Sequence, residues 1–221
     1  MAVESDGNKL RLWFPTLRSG RPHFYVRRLQ SGPGKRSLNT MYIKTQDGFA
    51  DGDLANLERL LKIVDDELST IDGLIRESSD PSSEGLFDRG EYMAGVALTA
   101  IQQYIGATYS QFKINRAAAL RLAPNVNHGL TLVSVLNAGA NYWKHQDEWG
   151  LRAVVTRDVE LLGSQAQQTI KIIESLTPWS DYTCSNLIST LVGNGKVRLK
   201  ALVPQLILWR QEIDLLNAEI S

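Results

Sequence analysis

A mainly α fold is predicted, an antiparallel helical bundle with a small antiparallel β segment at its N-terminus. Three observations lead there. From about Asp51 onward, apolar residues recur at helical spacing in runs separated by proline, glycine or serine-rich stretches. Before that point the pattern has a period of two and is punctuated by Gly-Pro turns. A hydrophobic fraction of 43% over 221 residues supplies a core for one large domain or two small ones.

The β segment comes first. Leu10, Leu12 and Phe14 alternate with Arg11 and Trp13. His23 to Leu29 is rich in β-favouring residues, and Thr40 to Lys44 is a third short candidate strand. Gly20-Arg21-Pro22 and Ser31-Gly32-Pro33-Gly34 are the turns between them. Residues 1–48 therefore read as a basic hairpin or meander. It is too small to hold a core alone. Residues 49–221 read as the helical domain.

The helices follow in order. Asp51 or Asp53 caps a first helix carrying Leu54, Leu57, Leu61, Val64, Leu68, Ile71 and Ile75, which the loop Ser78 to Ser83 ends. A second run extends from about Leu86 to Leu122, with Val96, Ile101, Tyr104, Ile105, Tyr109 and Phe112, and Pro124 stops it. A third spans Gly129 to Trp149. A fourth starts near Thr156, with Asp158 and Glu160 in its first turn, and closes at Pro178. A fifth runs from about Asp181 to Val192 and ends at Gly193-Asn194-Gly195. The last runs from about Val203 to Ala218, with Pro204 tolerated in its first turn.

The third helix holds the densest chemistry, Asn141-Tyr142-Trp143-Lys144-His145-Gln146-Asp147-Glu148-Trp149. At about 100° per residue, Ser134, Asn137, Asn141, Lys144, His145 and Glu148 share one polar stripe. Leu132, Val135, Leu136, Gly139, Tyr142 and Trp143 lie opposite. Asn141 and His145 stack one turn apart, and Glu148 follows a turn later. Such a stripe either faces water or lines a cleft. Long charged residues dominate most solvated faces. Ser134, Asn137 and Asn141 are short and poor helix formers, so they make sense where fixed hydrogen bonds hold them.

Charge is balanced overall but not locally. Residues 1–44 hold nine Lys/Arg and two Asp/Glu, whereas residues 45–95 hold four against thirteen. A basic arm can meet nucleic acid, or it can dock on the acidic stretch beside it. Cys184 is the only cysteine, which excludes an internal disulfide and fits a reducing, cytoplasmic setting. It reads as a small apolar filler. No apolar run approaches the ~20 residues of a membrane span. The acidic N-terminus has no signal-peptide character.

Familiar catalytic motifs do not occur. Gly32-Pro33-Gly34-Lys35-Arg36 lacks the spacing of a phosphate loop. His23, His128, His145 and one cysteine show no metal-ligand spacing, and no Gly-x-Ser-x-Gly elbow is present. Neither a metal nor a cofactor is expected.

Ala140-Asn141-Tyr142-Trp143-Lys144-His145, near the end of a bundle helix, resembles the signature of the HEPN superfamily. That signature is an arginine, then four to six residues, then a histidine, often with asparagine directly after the arginine. Ala140 stands where the family has arginine. Arg121 to His128 meets the spacing too, but Pro124 interrupts it and Leu122 follows the arginine. The likeness covers residues 50–220 loosely and this motif specifically. It implies a small helical bundle, often a metal-independent RNase of toxin–antitoxin or phage-defence systems, or a relative that has lost catalysis. His145 would then act as base or acid, Asn141 would orient the imidazole or phosphate, and Lys144 would supply charge. Such sites often straddle a two-fold dimer, in which Arg116 or Arg121 would replace the missing cation.

Two functions follow from different classes. One is an RNase or RNA-binding protein centred on Asn141, Lys144 and His145. The other is a non-catalytic module that binds itself or a protein partner, with Tyr142, Trp143 and Trp149 as interface or core anchors.

Overall fold

The structure, a computed structural model, describes residues 42–45, 48–112, 114–127, 129–151, 159–178, 182–193 and 197–220. All of them belong to the unit running from Asn39 to Ser221. The candidate strands Leu10–Phe14 and His23–Leu29 lie outside the described residues. So do His23, His128, Thr156 and Asp158.

The described residues are mainly α, as predicted. They begin with an antiparallel hairpin, β1 (Tyr42–Thr45) and β2 (Gly48–Asp51), in which Tyr42 faces Asp51 and Thr45 faces Gly48. β1 overlaps the third candidate strand. β2 has no counterpart among the expectations, because four residues with two glycines or aspartates carry little strand signal.

α1 (Gly52–Glu77) follows directly. Asp51, and not Asp53, caps it, with its Oδ1 accepting the Leu54 N–H at 2.9 Å. Leu57, Leu61, Val64, Leu68 and Ile71 are its buried stripe. α2 (Leu86–Gln111) returns antiparallel to α1: Arg89 pairs with Glu67 at one end, and Tyr104 bonds Asp51 at the other. The second run was expected to continue to Leu122 but stops eleven residues earlier. Asn115 accepts the Ala117 N–H at 2.7 Å and starts a new single turn, α3 (Arg116–Ala119). That break lets the Ala119 carbonyl meet the Trp209 indole N–H at 2.9 Å, a buried bond that no local pattern foretells.

α4 (Leu132–His145) is the motif helix. It starts at Leu132 and not Gly129, because Gly129 sits at φ +73 and Thr131 caps the helix through the Ser134 N–H. It ends at His145 and not Trp149, where the chain turns through Gly150 at φ +65. α4 is enclosed by other helices on most of its circumference. α2 crosses it so closely that a Cβ on Gly95 would lie 2.0 Å from the Trp143 ring, and one on Gly139 would lie 3.0 Å from Leu98 of α2.

α5 (Ser164–Glu174) begins later than expected, since a 3-10 turn at Val159–Leu161 and the extended Gly163 precede it. α6 (Thr183–Val192) ends at Gly193 in the left-handed region, as the sequence implies. A 3-10 turn at Leu199–Leu202 leads into α7 (Val203–Ile220), with Pro204 in the first turn. Leu61, Leu98, Ile101, Leu136, Ile170, Ile188 and Trp209 are fully buried in the shared core. No helix among the described residues is long and apolar enough to cross a membrane.

Candidate functional site

The polar stripe of α4 does not simply face water. Ser134, Asn137 and Asn141 line a groove of about 1070 Å³, walled by residues 115–121, by Asn125, by residues 129–131 and by α5. Asn141 is only 8% exposed. The opposite side, with Leu132, Val135, Leu136, Gly139 and Tyr142, is buried as predicted, while Trp143 is half-buried.

Gln102, reaching across from α2, organises the stripe. Its Nε2 donates to Asn137 Oδ1 at 2.9 Å and to Asn141 Oδ1 at 2.8 Å. Its Oε1 accepts from Lys144 Nζ at 2.7 Å. Arg116 Nη2 donates to Asn137 Oδ1 at 3.1 Å. Both asparagine oxygens are therefore occupied, which leaves the two Nδ2 groups as the atoms to offer a ligand. An amide held this way is a fixed donor and not an ambivalent one.

Much of the rest of the lining is polar or cationic. Arg116, Arg121 and Lys171 are exposed cations on its walls. Asn115, Asn125, Gln165 and Gln168 add amides, and Thr131, Ser134, Thr169 and Ser175 add hydroxyls. No carboxylate lines it among the described residues. In a cleft that is partly shielded from water, three cations with no carboxylate beside them among the described residues, together with fixed donors, make a site for an acceptor-rich anion.

The three motif residues divide. Asn141 lines the groove, and Lys144 joins the same network through Gln102. His145 does not line it. Its Nδ1 lies 2.8 Å from Glu148 Oε2, and its ring stacks on Trp149 with centroids 5.5 Å apart. Arg116 stands beside Asn137 of the same chain. The aromatic anchors divide as well. Tyr142 is core at 7% exposure, and Trp143 packs on Gly95 and meets the Tyr92 ring edge-on. Cys184 is fully buried in α6.

Sequence reasoning missed Gln102, Gln165, Gln168 and Lys171. A signal existed for α5, since Gln165, Gln168 and Ser175 fall on one helical face with the same short, amide-rich character as the stripe of α4. No signal marked Gln102, whose role depends on a helix crossing.

No protein-family model, curated protein or solved structure matches this chain.

Proposed function

We propose that this chain is an RNA-binding, HEPN-like helical protein, with the groove between α3, α4 and α5 seating the phosphodiester backbone. The observation that carries this is a lining with three cations, no carboxylate among the described residues, and two asparagine amides whose oxygens already accept hydrogen bonds. RNA offers the complement, a run of anionic acceptors with ribose hydroxyls between them. The choice of RNA over other polyanions rests on the motif resemblance around Asn141 and His145, and a role in bacterial stress or phage defence rests on it too.

Binding is better supported than cleavage. Cleavage at the ribose needs a base within reach of the 2′-hydroxyl. His145, the sole histidine among the described residues, is engaged by Glu148 and Trp149 outside the groove lining.

The test is fluorescence anisotropy with a labelled single-stranded RNA, run beside a gel assay for cleavage. Asn141→Asp keeps an acceptor for Gln102 but replaces a donor with a charge. It is expected to weaken binding by about tenfold or more with the helical content unchanged. Arg116→Ala with Lys171→Ala is expected to do the same. His145→Ala is expected to bind RNA like the parent, with neither protein cutting it. Parent-like affinity in both groove variants would overturn the proposal, and His145-dependent cutting would restore the catalytic assignment.

A further inference from the structure

A second cavity, of about 490 Å³, lies between α1, α2, α6 and the segment Val197–Arg198. Its floor is apolar: Leu68, Ile71 and Leu86 are buried there. Phe87, 38% exposed, forms part of the wall, and its ring meets that of Tyr182 at 5.6 Å. Tyr182 holds a left-handed backbone, φ +61, which a bulky side chain adopts at a cost. Strain of that kind persists where surrounding structure overrides it, and it collects at ligand sites.

Two charged groups border this apolar space. Asp72 is already matched, since Arg76 donates to its Oδ2 at 2.5 Å. The Arg198 guanidinium meets no acceptor among the described residues, although its backbone carbonyl accepts from Ala201. The cavity thus pairs an apolar interior with one cation that has no counter-charge among the described residues. Its volume falls within the range of small-molecule sites.

We propose that this cavity binds a small amphipathic monoanion, an aliphatic or aromatic carboxylate, independently of the RNA groove. The apolar body lies against Leu68, Ile71, Leu86 and Phe87, where burial drives association. The carboxylate takes the paired N–H donors of Arg198, a match of fork to fork.

The full-length chain is titrated calorimetrically with decanoate, with 4-phenylbutyrate and with neutral decan-1-ol. Saturable one-to-one binding of a carboxylate, with the alcohol at least tenfold weaker, is expected. Which acid binds more tightly separates the aliphatic from the aromatic class. Arg198→Gln is expected to weaken the carboxylate by on the order of tenfold. Arg198→Lys, which keeps the charge but loses the fork, falls between. Ser189→Trp, which fills the cavity from α6, abolishes binding while affinity for RNA stays at the parent's value. Should that variant fail to fold, the Arg198 pair decides alone. No saturable binding of either acid into the millimolar range overturns the proposal. So does alcohol binding as tightly as acid, or an Arg198→Gln titration that overlays the parent's.

Discussion

Asp51 does three jobs with one carboxylate. Its Oδ1 caps α1, and its Oδ2 accepts the Tyr104 hydroxyl at 3.0 Å and lies 3.5 Å from Arg210 Nε. Arg210 is 2% exposed, and its guanidinium also sits 4.4 Å over the Phe112 ring. A cation so deep is tolerable only with a nearby anion and a polarisable face. Burial first, and the Asp51 charge second, hold the Tyr104 phenol well above the usual tyrosine range. The folded form therefore has the higher pKa. Stability from this group is complete below the unfolded value of about 10 and is lost as pH rises past it. The expected loss above that point is at most ~1.4 kcal/mol per pH unit. Urea midpoints of parent and Tyr104→Phe between pH 8 and 11 check this. The parent's alkaline decline should be the steeper, and parallel profiles would show that the phenol is not linked to folding.

At the scale of elements, the acidic stretch has a structural use inside the helical domain. Glu91 of α2 accepts the N–H groups of Cys184 at 2.7 Å and Ser185 at 2.9 Å, the first turn of α6. Asp65 of α1 accepts those of Leu199 at 2.8 Å and Lys200 at 3.0 Å, the start of the turn before α7. Helix N-termini carry orphan donors and partial positive charge, so a carboxylate from a distant helix both satisfies and attracts them. These contacts join elements more than ninety residues apart. Glu91→Gln keeps the shape but halves the acceptors and removes the charge. It is expected to cost about 1–2 kcal/mol in urea unfolding, and an unchanged midpoint would mean the cap carries no stability. Docking of the basic N-terminal segment on this acidic stretch concerns residues outside those described.

At the scale of the molecule, formal neutrality conceals a separation of charge between the groove and the acidic stretch. Electrostatic association with RNA should show it as counterion release. Each phosphate neutralised on a single strand contributes a slope of about −0.7 in log K against log salt. Arg116→Ala and Lys171→Ala together should therefore flatten the full-length chain's slope by about 1.4 units, whatever the basic segment adds. If the slope is unchanged while affinity falls, those side chains shape the groove without meeting phosphate. The donor geometry at Asn137 and Asn141 has the same whole-molecule origin, because it exists only where α2 crosses α4.

The sequence alone located the main helices, though not all their ends, because periodicity and caps are local. The stripe Leu57–Ile71, an aspartate cap at Asp51 or Asp53, the stop at Gly193 and a start near Val203 with Pro204 in the first turn depend on neighbours within a turn or two. It also marked Asn141, since short amides on a helix need fixed partners. What it left open is what each polar side chain meets, because Asn141 and His145 share a face of α4 but not a neighbourhood. Asn141 lies where α2 covers the helix, and Gln102 engages it. His145 lies at the helix end, where Glu148 and Trp149 in the turn that follows engage its ring. Spacing along one helix decides direction, but the helices that pack beside it decide environment, and only the tertiary structure contains them.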